Sequence, residues 1–212
     1  GLFDLAVGAV NGNGISANFD ISSPGFRRPD NMFDNDSDKS IFGRVGTELG
    51  GVSAGFFGLT GDQKNATGTA GSETGDRDTD KLILGFDLSG DFNEKIYWYF
   101  QGLWNQWDEF LDQNRSYEWF GGFAGVDYIH NDFWAFSLLY NFADANDFDG
   151  TGTVYEGIDI NTITAGVSYY FMRNVKVVLE GNLDLIEKDN DTDFVGHESK
   201  ENYILLGFDA AF

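Results

Sequence analysis

The chain has 212 residues, with 35 acidic against 13 basic side chains and a formal net charge of −22. That charge opposes binding to nucleic-acid phosphates, and the absence of cysteine excludes disulfides, thiolate metal sites and cysteine nucleophiles. Aromatic residues make up 17% of the chain, which excludes the aromatic-poor composition of an acidic disordered protein.

No apolar run approaches the roughly 20 residues of a transmembrane helix. The longest, 133–143, is interrupted by Ser137 and Asn141. The dominant pattern has period two, the signature of strands. Strands are expected in chain order near 1–10, 40–49, 52–60, 81–90, 95–105, 117–129, 132–143, 158–171, 174–186 and 202–212. In the second, Arg44 and Glu48 lie opposite the apolar set. In the fourth, Leu82, Leu84, Phe86 and Leu88 alternate with Ile83, Gly85, Asp87 and Ser89. In the ninth, Val175, Val177, Leu179 and Leu183 alternate with Lys176, Val178, Glu180 and Asp184. The last sets Ile204, Leu206, Phe208, Ala210 and Phe212 against Tyr203, Leu205, Gly207, Asp209 and Ala211. Most of these segments have the roughly 9–11 residues of a tilted bilayer-crossing strand, against about 5–6 for an ordinary globular strand.

Short and long connections alternate. Gly50-Gly51, Asp91–Glu94, His130-Asn131 and Arg173-Asn174 are expected to be tight turns. Polar loops are expected over 11–39, 61–80, 106–116, 144–157 and 187–201. This alternation is a trait of transmembrane barrels, with short turns on one side and long loops on the other. A soluble β-sandwich has no reason to keep that order. Trp98, Tyr128, Trp134, Tyr169 and Phe171 fall near the short turns, and Trp104, Phe120, Tyr140 and Phe142 nearer the long loops. Two belts of rings fit the two interfaces of a membrane.

The C-terminal segment Tyr203-Ile204-Leu205-Leu206-Gly207-Phe208-Asp209-Ala210-Ala211-Phe212 resembles the last strand of bacterial outer-membrane proteins. The segment Val7-Gly8-Ala9-Val10-Asn11-Gly12-Asn13-Gly14 resembles a strand-to-loop step of the phosphate-selective porins and related large porins. The resemblance implies an outer-membrane location and an assembly machinery that reads Phe212. In that family the Val7–Gly14 step lies inside a longer chain, which implies further strands upstream. It does not carry over phosphate selectivity, which needs a run of basic lumen residues. Strand parity instead gives an expected pore lining of Asp4, Arg44, Glu48, Asp87, Asp127, Lys176, Glu180, Asp184 and Asp209. That lining is acidic.

The loops hold further acids, among them Asp34, Asp36 and Asp38, and Asp189, Asp191 and Asp193. Hard oxygen ligands bind Ca²⁺ or Mg²⁺, and Asp147, Asp149, Gly150 and Glu156 partly follow a calcium-loop spacing. Ala145 breaks that spacing at the first ligand position. The plain alternative is a solvated acidic loop bridged to lipopolysaccharide by divalent ions. His197, beside Glu198, raises an outer-membrane protease as a further reading, but no water-activating constellation accompanies it.

The sequence is therefore read as one all-β domain over 1–212. The expected fold is an antiparallel transmembrane β-barrel of about ten strands, or the C-terminal part of a larger barrel. The expected function is a non-enzymatic porin of the bacterial outer membrane, passing small solutes or ions with a cation preference and needing no cofactor. The alternative is a barrel that scaffolds a partner protein. Expected partners are the bilayer, lipopolysaccharide, the assembly machinery and a second copy or partner protein, with no nucleic acid.

Overall fold

The computed structural model describes residues 3–11, 39–69, 72–110, 114–148, 160–185 and 202–210, and the side chains of Asn11 and of 63–77 are outside the description. The strands are β1 (Asp4–Asn11), β2 (Lys39–Leu49), β3 (Val52–Thr69), β4 (Ser72–Asn93), β5 (Ile96–Asp108), β6 (Ser116–Ile129), β7 (Trp134–Asp144), β8 (Ile160–Met172), β9 (Val175–Asp184) and β10 (Tyr203–Ala210). A 3₁₀ turn, Asn146–Phe148, follows β7.

Each strand pairs antiparallel with its neighbour in sequence, giving one ten-stranded sheet in the order β1 to β10. The expected all-β antiparallel architecture is present. The sheet is not closed into a barrel: β1 pairs with β2, β10 pairs with β9, and these two strands are its edges. Apolar side chains on both edge strands are open, with Leu5 76% and Ile204 84% exposed.

The tight turns have local causes. Gly50 and Gly51 both take positive φ, 61° and 83°, as a type I′ hairpin turn requires. Asn93 Oδ1 accepts from the backbone N–H of Lys95 and Ile96 at 2.8 and 3.1 Å. Asn131 Oδ1 does the same for Phe133 and Trp134 at 2.9 and 3.0 Å. A side chain that accepts two amides just after itself replaces ladder bonds lost at the reversal.

Two expectations about the connections are corrected. The segment 61–80 is not a polar loop, because β3 and β4 continue as a paired ribbon to Thr69 and Ser72. Polar side chains carry no period-two apolar signal, yet backbone pairing needs none, and the threonines there favour extended backbone. The turn expected at Asp91–Glu94 is also tighter, since β4 runs to Asn93 with a register shift between Asp91 and Asn93.

Candidate functional site

Register decides which side chains share a face, because successive side chains of a strand point to opposite sides. The paired rows run Asp4–Gly46, Gly46–Gly55, Gly55–Asp87, Asp87–Gln101, Gln101–Phe123, Phe123–Asn141, Asn141–Thr162 and Thr162–Asp184. This row fixes one face of the sheet. Arg44 and Glu48 lie on it by parity with Gly46, Asp127 by parity with Phe123, and Glu180 and Lys176 by parity with Asp184. Asp209 joins it opposite Lys176. Every residue of the expected lining therefore lies on one face.

The other face is apolar. Leu84, Phe86, Trp98, Phe100, Phe136, Leu138, Val167, Val177, Leu179, Leu206 and Phe208 all share it by the same register. None of them is buried. Near the short turns a chain of ring contacts crosses this face, from Tyr128 through Phe136, Trp134, Tyr169 and Phe171 to Phe208. Nearer the long loops Phe120, Phe142 and Tyr140 form a second row, and Trp104 Nε1 donates to Glu118 Oε2 at 3.3 Å.

The charges of the polar face fall into two groups. On β1 to β4, the Arg44 guanidinium binds Asp4 Oδ2 at 2.8 Å and Asp87 through both carboxylate oxygens, at 2.7 and 3.2 Å. It reaches Asp87 across Gly55 of β3, where a Cβ would collide with the guanidinium. On β9 and β10, Lys176 pairs with Asp209 at 3.5 Å, and Tyr203 Oη donates to Glu180 at 2.8 Å. Between the groups, the polar face of β5 to β8 carries a single charge, Asp127. The rest of that strip is neutral. Asn141 Nδ2 donates to Thr162 Oγ1 at 3.2 Å, and Thr164 Oγ1 donates to Asn182 Oδ1 of the adjacent β9 at 2.7 Å.

A feature that the alternation does not announce lies at the long-loop end. Phe110, Tyr117, Ala145 and Phe148 are almost wholly buried, with Trp107 close behind. Phe148 stacks on Tyr117 with centroids 5.0 Å apart and meets Trp119 at 5.5 Å. The segment after β7 thus folds back onto β6 and onto Phe110, just past the end of β5. Its signal in the sequence is the apolar Ala145 and Phe148 inside an otherwise polar stretch.

Asp147 fastens this fold-back. Its carboxylate accepts from the Glu118 backbone N–H at 2.8 Å, and its carbonyl accepts from Arg115 at 2.9 Å. The other members of the calcium-like pattern, Asp149 and Glu156, lie outside the described residues, as do His197 and Phe212. Among the described residues no group of three or more His, Asp and Glu side chains is placed to hold a metal ion.

No protein-family model matches this chain, and the comparison with curated proteins gives no match.

Proposed function

We propose that the sheet is the wall of a β-barrel in a bacterial outer membrane and that the protein is a porin, passing small solutes or ions with a preference for cations. The observation that carries this reading is the division of one sheet into two chemically opposite faces, with the expected lining on one and open apolar side chains on the other. A soluble sheet covers its apolar face with a second layer. A membrane covers it with lipid. On β7, Trp134 and Phe142 are roughly 27 Å apart along the strand at about 3.4 Å per residue. Tilt shortens that span to about 20 Å across the membrane, near the ~25 Å apolar band of such barrels.

Backbone groups cannot be left unpaired in hydrocarbon. The edges of β1 and β10 must therefore be paired in the membrane, with each other or with further strands. The wall carries acids in excess over bases, and such a wall attracts cations and repels anions. The deciding experiment is conductance of purified protein in planar bilayers under a KCl gradient. A reversal potential of cation-selective sign is expected. Anion preference would overturn the selectivity, and absence of conductance would favour a barrel that scaffolds a partner.

A further inference from the structure

We propose that Tyr97, Tyr99, Phe123 and Asp127 form a binding site for organic ammonium ions on the polar face. The proposal rests on the reading of that face as a water-filled wall. Tyr97 and Tyr99 follow one another on β5 with ring centroids 5.8 Å apart, and Tyr99 meets Phe123 of β6 at 6.1 Å, edge to face. Asp127 is the cross-strand neighbour of Tyr97, and Gly125 that of Tyr99. Because Gly125 has no Cβ, the Tyr99 ring lies down over β6 in the space a side chain would fill. Three rings and one carboxylate therefore share a patch that starts near the short-turn end of the sheet. Tyr97 is 43% exposed, so the patch is open to a solute.

Charge complementarity selects the ligand. Among the described bases of the polar face, Arg44 is committed to Asp4 and Asp87 and Lys176 to Asp209, and Lys81 lies at the long-loop end of β4, opposite Trp107 and at the other end of the sheet from Asp127. Lys95, in the turn before β5, donates to the His130 carbonyl at 3.4 Å. The polar face of β5 to β8 brings no lysine or arginine to Asp127. Ring faces attract cations, most strongly those that shed water easily. A small metal ion keeps its hydration and seeks several oxygen ligands, which this patch lacks. An alkylated ammonium presents methyl groups to the rings and its charge to the carboxylate. The site therefore favours ions of the quaternary ammonium type over alkali ions and over neutral solutes of the same shape.

The test uses choline and its neutral isostere 3,3-dimethylbutanol on the full chain in detergent, read by saturation-transfer NMR. Choline is expected to bind about fivefold or more tighter than the isostere. Asp127→Asn and Tyr99→Leu should each abolish that difference, while Tyr99→Phe should keep it, since the ring and not the hydroxyl carries the attraction. Equal binding of both probes, no binding of either, or full choline preference in Tyr99→Leu would overturn the proposal. KCl conductance, measured separately, decides the porin reading. A conducting protein without choline preference fails only the ammonium site, and choline preference without conductance fails only the pore.

Discussion

Arg44 of β2 and Asp87 of β4 are joined across an intervening strand, with Nη2 2.7 Å from Oδ1 and Nε 3.2 Å from Oδ2. Gly55 of β3 makes the reach possible. The same guanidinium also holds Asp4, and these carboxylates together with the bridge itself raise the Arg44 pairing beyond an ordinary surface contact in geometry, though not in shielding. Both partners remain about a third exposed, at 35% and 30%, so the pair stabilises the fold by no more than about 1 kcal/mol.

Its larger effect is on the field of the wall. Arg44→Met leaves Asp4 and Asp87 without their cation. The variant should be more cation-selective than the parent, seen as a larger reversal potential under a KCl gradient at low ionic strength, with little change in unfolding midpoint. An unchanged potential would show that this cluster does not face the conduction path.

Neutralising acids should act unequally. Asp87 is already compensated by Arg44, whereas Glu180 accepts from a neutral tyrosine hydroxyl and Asp127 lies in a strip without a base. Asp127→Asn and Glu180→Gln should therefore each reduce cation preference more than Asp87→Asn does, and the three changes together should reduce it furthest. The difference should shrink at high salt, because screening shortens the reach of each charge. An equal effect of all three acids would contradict the compensation by Arg44.

Leu138 and Leu179 are 48% and 50% exposed on the apolar face. If lipid covers that face, Arg at either position should cost about 2–4 kcal/mol near the bilayer midplane. Urea unfolding from lipid vesicles measures it. Ser137→Arg, one residue away on the polar face, should be far milder. Equal costs at 137 and 138 would remove the lipid-facing assignment.

The base of the β3–β4 ribbon responds to pH. Asp62, Asp80 and Asp108 form a cross-strand row beyond Trp104, on the long-loop side. The Asp80 carboxyl is held above its ordinary value, first by lost hydration and then by hydrogen bonding and repulsion from Asp62, with Asp108 and Glu109 adding to it. The folded ribbon therefore binds that proton more tightly than the unfolded chain does. This contribution favours the ribbon below the ordinary carboxylate range and is lost as pH rises through the raised value. Asp108 is shifted the other way by hydrogen bonds from Ser116 and Gln106, so its contribution is present at neutral pH and lost on acidification. Asp80→Asn should slow amide exchange at the ribbon base at neutral pH, and Asp108→Ala should speed exchange where β5 meets β6. Faster exchange in Asp80→Asn would reverse the assigned sign.

The turn between β2 and β3 gives a local test. At φ 83°, Gly51→Val should destabilise the hairpin by about 1–2 kcal/mol, since a left-handed backbone is costly for residues with a Cβ. Nothing lies within 4 Å of a Cβ at that position, so the loss would be conformational rather than steric crowding. An unfolding midpoint equal to the parent's would show that the turn relaxes.

The apolar-patterned strands and their two faces follow from the order of the residues alone. Alternation is written into the covalent chain, because each residue turns its side chain opposite to the last. That is why alternation alone puts Asp87, Asp127 and Glu180 on one face and Phe86, Leu138 and Leu179 on the other. The turns at Gly50-Gly51 and Arg173-Asn174 were legible for a similar reason, since they depend on a few adjacent residues. The ribbon at 61–80 was not, because polar strands are held by backbone bonds that leave no apolar period. Which charges meet follows from how the strands are set against one another. Arg44 finds Asp87 forty-three positions away because two registers and a missing Cβ at Gly55 bring them together. The β5–β6 register sets Tyr99 over Gly125 and near Asp127, and the turn after β7 brings Phe148 back onto Tyr117. Such meetings depend on strand offsets summed across the sheet, and period-two patterning leaves each offset free to slide by two residues without changing a single face.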